Sequence, residues 1–326
     1  MNKRRNVVAG MLAAGVVLLG APGACAQDFP AKPLKFVLAF PPGGPADASA
    51  RLLADQLSKT LGQPVVVENR PGATGMIAAQ AVARSPADGY TLLYTSTSGY
   101  STAPLLMEKP PLNPFKELDP VSMVLEYPLI LITNPALNAG TLREFIAQAK
   151  AKAGGFSFGS PGQGSIGNIV GEQFRRLAGF EAVHVPYKGS APVVTDVVAG
   201  RLAFAIESIY AANAFIPNGR LKVLAVSRSE RTPLLPEVPT FAEAGFPAIN
   251  QKMWFGLFAP AGTPAGAVDK VQGEVARAVK LPEVRKTLEN QATEPAGSTP
   301  REFRAVIDAE VLAWGKVIKE TGIKLE

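Results

Sequence analysis

A two-lobed α/β fold, each lobe a mainly parallel sheet flanked by helices, is what three features of this 326-residue sequence predict. From Leu34 onward, short β-rich runs alternate with amphipathic helical segments, an order that builds a parallel sheet with helices on its faces. A second series of the same kind begins after a proline-rich passage, Pro104 to Pro120. The chain is also longer than one hydrophobic core usually serves, and a hydrophobic content of 47% is ample for two.

The first residues set the compartment. Lys3, Arg4 and Arg5 precede an uncharged apolar stretch, Val7 to Leu19, and small residues follow, ending in Ala24-Cys25-Ala26. This is the pattern of a secretory signal peptide, residues 1–26, cleaved after Ala26. The apolar run falls short of the ~20 residues needed to span a bilayer. Pro22, Gly23 and Ala24 lack the aliphatic residue of a lipoprotein signal, and Asn6-Val7-Val8 after Arg4-Arg5 matches twin-arginine export poorly, so ordinary secretion is expected. The leader carries three of the 33 basic residues and none of the 27 acidic ones, so the net charge falls from +6 to +3 on its removal. A mild excess without a basic block argues against nucleic acid as a partner. Cys25 is the single cysteine, so the mature chain has no disulfide and no thiolate metal site.

In order along the mature chain, Leu34 to Phe40 reads as a strand. Ala46 to Leu61 reads as a helix with Ala50, Leu53, Leu57 and Leu61 on one face, stopped by Gly62. Val65 to Glu68 is a second strand, Thr74 to Arg84 a second helix and Tyr90 to Thr95 a third strand. Val121 to Leu125 and Leu129 to Thr133 open the second series. Thr141 and Glu144 form a capping box for a helix running to about Ala153. Strand-like Phe156 to Gly159, a helix from Ser165 to Ala178, strand Ala182 to Val185, a helix near Pro192 to Ala199, and strands Leu202 to Ile206 and Leu221 to Val226 complete a second sheet. After Lys252 to Phe258 the chain turns helical again, through Pro264 to Lys280, Pro282 to Gln291 and a last helix capped by Thr299 with Pro300 and Glu302. Long helices after the second sheet imply that the chain returns to close the first lobe. The expected division is residues 27–127 with 252–326 for lobe 1 and 128–251 for lobe 2.

In open parallel sheets ligands bind beyond the carboxyl ends of strands, so the loops there carry the candidate chemistry. The first is Phe40-Pro41-Pro42-Gly43-Gly44-Pro45, between a strand and a helix. Glycines let backbone N–H groups approach a ligand, and the helix start adds about half a positive charge, so an anion can be held without a cationic side chain. A rigid turn that only connects two elements is the competing reading. The second loop, Ser160-Pro161-Gly162-Gln163-Gly164-Ser165-Ile166-Gly167-Asn168, repeats the device in the other half. Its glycines spell G-x-G-x-x-G, but no acidic residue ends the next strand, where the chain reads His184-Val185-Pro186-Tyr187-Lys188, so no dinucleotide is expected. Ser96, Tyr187, Gly189, Ser190 and Glu207 lie at further strand ends. Lys188 has two readings, a partner for a ligand carboxylate and a solvated lysine, the second being the commoner case. Glu207 would repel an anion unless it bonded to backbone donors or to an ammonium group on the ligand, which leaves scaffold and selectivity roles open.

Catalysis has little to stand on. His184, the single histidine, sits between Val183 and Val185 and reads as a packed strand residue. No G-x-S-x-G elbow occurs, no zinc ligand set is available, and no carboxylate pair stands out. The candidate catalytic, cofactor and metal sets are therefore all empty.

Several ordered motifs carry a family resemblance: Phe40-Pro-Pro-Gly-Gly-Pro with Asp47 and Arg51, Glu68-Asn-Arg-Pro-Gly-Ala73 with Gly75, Asp88-Gly-Tyr-Thr-Leu-Leu93, His184-Val-Pro-Tyr-Lys-Gly189, Leu234-Leu-Pro-Glu-Val-Pro-Thr240, and Trp254-Phe-Gly-Leu-Phe-Ala-Pro-Ala-Gly-Thr-Pro264. Together they resemble the Bug-type receptors, periplasmic substrate-binding components of tripartite tricarboxylate transporters, from about Phe29 to the C-terminus. The resemblance implies a Venus-flytrap periplasmic-binding-protein fold closing over a small organic carboxylate, held by amides, hydroxyls and waters from both lobes. It further implies a monomer that partners a large and a small integral membrane subunit. Carried onto this chain, it marks Pro42, Gly43 and Gly44 with Asp47 nearby in one lobe, and Ser160 to Asn168, including Gly164, Ser165 and Gly167, in the other. Position 168 is often histidine in such receptors, and Ile206-Glu207-Ser208 stands where many have phenylalanine, aspartate and asparagine. A secreted α/β hydrolase or transferase, and a ligand-responsive sensor adaptor, are the rival readings.

Overall fold

The computed structural model describes residues 29–325. Lobe 1 opens with β1 (Leu34–Leu38), α1 (Pro45–Leu61), β2 (Val65–Asn69), α2 (Met76–Ala83) and β3 (Thr91–Ser96). Single-turn helices α3 (Ala103–Leu106) and α4 (Pro114–Glu117) occupy the proline-rich passage. The chain then enters β4, Leu118–Thr133, a strand of 16 residues. Lobe 2 follows as α5 (Leu142–Ala151), β5 (Phe156–Ser160), α6 (Ile166–Ala178), β6 (Ala182–Pro186), α7 (Ser190–Val198), β7 (Phe204–Ser208), single-turn α8 (Ile209–Ala212) and β8 (Lys222–Val226). The return is made by β9 (Lys252–Pro260), α9 (Ala265–Ala278), α10 (Pro282–Asn290), β10 (Glu294–Pro295) and α11 (Pro300–Thr321).

The strands lie in the order β2-β1-β3-β9-β4-β7-β5-β6, with β8 and β10 also paired to β4. Parallel pairing is found in two triplets, β2-β1-β3 and β6-β5-β7. These are the β-α-β units that alternating strand and helix patterns build. Between them run the antiparallel strands that connect the lobes. Residues 118–128 of β4 pair with β9, and residues 129–133 pair with β7 and β8.

The sequence suggests two short strands where the structure has the single strand β4, and prolines explain the difference. Pro120 and Pro128 lack the N–H that a ladder needs and read as breaks. Bulges lie between Pro120 and Ser122 and between Met123 and Leu125. Pro128 falls opposite Lys252, the first residue of β9, where β4 changes partners. There Ser227 supplies the stitching: its Oγ accepts from the Leu129 amide at 2.8 Å and donates to the Gln251 carbonyl at 2.8 Å, while its own amide donates to the Leu129 carbonyl.

At α5, Thr141 accepts from the Glu144 amide as expected, but the Glu144 carboxylate reaches the Gly140 amide instead of closing the box on Thr141. The full reciprocal box occurs at Thr299 and Glu302, opening α11. That helix serves both lobes. Phe303 and Ile307 pack with Trp254 and Phe258 of β9, whereas Trp314, Val317 and Ile318 pack with Leu131, Phe158 and Phe174. We keep the sequence-derived lobe boundaries as a working division, noting that the last turns of the 252–326 segment rest on lobe 2.

Candidate functional site

Strand register locates the cleft. Ser96, at the carboxyl end of β3, opposes Phe255, while Leu93 opposes Phe258, so β3 points toward the start of β9, where the lobes join. Ser208, at the carboxyl end of β7, opposes Leu129, and Phe204 opposes Thr133, so β7 points toward the same seam from the other side. Parallel pairing carries β1 and β2 with β3, and β5 and β6 with β7. Both sets of carboxyl ends therefore face one seam, which is where open α/β sheets take ligands. Two surface depressions lie elsewhere, at the amino ends of the lobe 2 strands, one lined by Gly155, Glu181 and Ala182 and the other by Lys222 and Gly140.

In lobe 1 the Phe40 to Pro45 loop is anchored by Asp47. Its carboxylate accepts from the Gly43 amide at 3.0 Å, from Asn69 Nδ2 at 2.9 Å and from Arg51 Nε at 3.0 Å, and it pairs with Arg51 Nη2 at 2.9 Å, a nitrogen that donates to Asn69 Oδ1. Burial opposes ionisation, but the hydrogen bonds from Arg51, Asn69 and Gly43 win and hold the carboxyl down at about 2. Three hydrogen bonds and the ion pair engage both carboxylate oxygens inside the loop's own frame. Asp47 therefore braces the loop that was expected to meet a ligand, and Gly43 spends its N–H on Asp47. Pro42 is exposed, and Gly44 caps α1 without any side-chain cap, so the first-turn amides of α1 stay open.

In lobe 2 the loops after β5 and β6 are tied together. The Tyr187 amide donates to the Ser160 carbonyl at 2.9 Å, and the Gly189 amide donates to the Pro161 carbonyl at 3.1 Å. Ser160 is fully buried, and its hydroxyl joins the Gly162 carbonyl and His184 Nε2. A hydroxyl has one proton, so donation to Gly162 requires the imidazole to carry its proton on Nε2. Burial lowers the His184 pKa to about 4, which keeps the ring neutral. His184 also packs on Phe158 at 5.0 Å, as a strand residue should.

The remaining lobe 2 candidates divide into braces and open groups. Asn168 Oδ1 accepts from the Gly164 amide at 3.0 Å, which leaves its NH2 as a donor. Tyr187 donates its hydroxyl to Asp196 at 2.6 Å. Gly167 is a packing residue: a Cβ there would lie 2.6 Å from the Ile206 carbonyl oxygen. Gly164 has φ +70, and a Cβ would press on Leu106 and Leu325 at 2.9 Å. Ser165 is the N-cap of α6, one position before the first turn where the sequence puts it, and accepts from the Asn168 amide. Gly189 caps α7 with no side-chain cap, and Ser190 begins that helix. Ser96 is buried at the end of β3.

Aromatic side chains that the sequence reading passed over line the seam. Tyr127 lies 5.3 Å from Phe255, and Phe255 lies 5.5 Å from Phe40, which leads into the lobe 1 loop. Phe40 had a signal as the aromatic residue ending the first strand-like run, whereas Tyr127 and Phe255 lie inside β4 and β9. Among the described residues, no cluster of histidine, cysteine or carboxylates is arranged to hold a metal ion.

A sequence profile for the tripartite tricarboxylate transporter family receptor, TctC, matches residues 49–323. The chain belongs to that receptor family. Protein BugT of Bordetella pertussis is 40% identical over 302 residues, covering 92% of this chain and 93% of that protein. The structure of R. palustris Rpa4515 with adipate aligns at a TM-score of 0.84 with 33% identity, covering 91% of this chain and 99% of the other. MatC from Rhodopseudomonas palustris with bound malate aligns at 0.79 with 31% identity, covering 89% and 100%. The TctC assignment makes the chain a solute-binding receptor and not an enzyme, as the motif resemblance implied. TctC receptors are periplasmic. Among the described residues, no helix is long and apolar enough to cross a membrane. The cleavage site expected after Ala26 lies outside those residues.

Proposed function

We propose that this receptor captures a small organic carboxylate in the seam, closes its lobes over it, and delivers it as a monomer to the large and small membrane subunits of a tripartite transporter. Export with cleavage after Ala26 is part of the same reading. The observation that carries it is the convergence on one seam of helix starts from both lobes, α1 behind Gly44 and α6 and α7 behind Ser165 and Gly189. Backbone N–H groups and the positive helix ends hold an anion without a lysine or arginine. Ligands named for two aligned receptors, adipate and malate, are of this class. Gly44, Ser96, Ser165, the Asn168 NH2 group, Gly189 and Ser190 are the contacts we assign. Pro42, Gly43, Asp47, Ser160, Gly164, Gly167 and Tyr187 hold the frame.

Ser165→Asp tests this. Aspartate caps a helix as well as serine, so the fold survives, yet its charge occupies the place of the ligand's carboxylate. In a thermal-shift panel of mono- and dicarboxylates and their amides, wild-type protein is stabilised by acids and not by amides. A ligand at ~100 times its dissociation constant adds about 2.7 kcal/mol. The aspartate variant melts normally and responds to none. Equal stabilisation by amides, or an undiminished response in the variant, refutes the assignment.

A further inference from the structure

Among the described residues, four acidic residues are less than a tenth exposed: Asp47, Glu172, Glu207 and Glu274. Three have an arginine partner, Asp47 with Arg51, Glu172 with Arg175 and Glu274 with Arg277. Glu207 has no cation in reach among the described residues, and its Oε1 has no hydrogen-bond partner. A buried carboxylate without a partner is costly, so its place in the fold matters. Glu207 is the penultimate residue of β7, opposite Ile130, at the strand end that faces the seam. Its charge is felt by Tyr127 of β4, on the aromatic floor, and Ser190 at the start of α7 and the Ser208 amide lie beside it.

We propose that Glu207 reads the far end of the bound molecule, so that the preferred ligand is a carboxylate bearing an ammonium group at its distal end and not a dicarboxylate. The inference rests on the carboxylate reading of the seam. With the ligand's carboxylate at the starts of α1 and α6, and Glu207 beside Ser190 at the α7 side, the Oε1 acceptor is left for a donor from the ligand, and an ammonium satisfies both its hydrogen bond and its charge. A second carboxylate would instead meet a like charge. Burial pushes the Glu207 pKa up to about 7 against the pull of Ser190 and the Ser208 amide, so the acid is poised for a cation to hold it ionised. A protonated Glu207 donating to a distal carboxylate is the competing arrangement, and it favours the dicarboxylate.

Calorimetric titration of the purified receptor with hexanoate, adipate and 6-aminohexanoate, and with butanoate, succinate and 4-aminobutanoate, separates these. In at least one length series the amino acid binds the wild-type protein about tenfold or more tightly than the dicarboxylate, the scale of a charge-assisted buried hydrogen bond. Glu207→Gln removes most of that margin and shifts monocarboxylate affinity by less than about threefold. Dicarboxylates that bind as tightly as their amino counterparts in both length series, or a margin that Glu207→Gln leaves intact, overturn the proposal. The wild-type comparison stands even if the variant fails to fold. Absence of binding by every carboxylate in both series sinks the carboxylate reading itself, a different failure.

Discussion

Asp47 illustrates how a single residue can matter to a site without touching its ligand. The carboxylate gathers Gly43 from the loop, Asn69 from the end of β2 and Arg51 from the next turn of α1. Because its pKa falls from 3.8 to about 2 on folding, its stabilisation is fully present above pH 4 and is lost as pH drops toward 2. Asp47→Asn should therefore cost on the order of 2 kcal/mol at pH 7, with the gap to wild type closing by pH 2 in chemical denaturation. A pH-independent gap would mean that the charge is not what anchors the loop. The sequence placed Asp47 beside the correct loop. It could not reveal that both oxygens were already engaged, because Asn69 arrives from a strand end 22 residues away. The same holds for Tyr187, whose hydroxyl goes to Asp196, and for Gly167, whose missing side chain makes room for the Ile206 carbonyl. Residue type and strand-end position were legible, whereas the choice between brace and contact depends on through-space partners.

At the level of elements, periodicity and turn chemistry were enough to find both parallel triplets, since each strand and helix there is specified by its own residues. The long β4 was not legible, because its continuity is set by neighbours and not by local propensity. Ser227 is the neighbour that matters most. It is fully buried and satisfies the Leu129 amide and the Gln251 carbonyl on the two chain crossings at once. Ser227→Ala removes the acceptor and the donor together and leaves the buried Leu129 amide and the part-buried Gln251 carbonyl without this partner. Urea denaturation should show a loss of about 1–3 kcal/mol, larger than a typical serine-to-alanine change in one exposed turn. A loss under about 0.5 kcal/mol would show that the crossings hold without this bond.

Across the whole molecule, three chain segments join the lobes: β4, the link into β9, and α11. A 22-residue helix is about 33 Å long and behaves as a stiff rod. Its first half is fixed in the lobe 1 core through Phe303 and Ile307, and its second half in lobe 2 through Trp314, Val317 and Ile318. Between them Glu310 accepts from Trp254 Nε1 at 2.8 Å, and burial pushes its carboxyl up to about 8, which disfavours a charge on that side chain at neutral pH. Strands crossing at Ser227 allow rotation about the seam, while the rod opposes sliding of one lobe past the other, so the closure we propose is a hinge motion. A carboxylate favours the closed state only by touching both lobes, which the open amides of α1 and the α6 and α7 starts provide for. Small-angle scattering should then show a smaller radius of gyration when a binding carboxylate saturates the receptor. Trp314→Ala, which opens a cavity costing about 3–5 kcal/mol where the rod meets lobe 2, should enlarge the ligand-free radius and leave the saturated one near that of wild type. Identical scattering with and without ligand, from a receptor shown by calorimetry to be saturated and starting open, would rule out hinge closure while leaving the binding site itself intact.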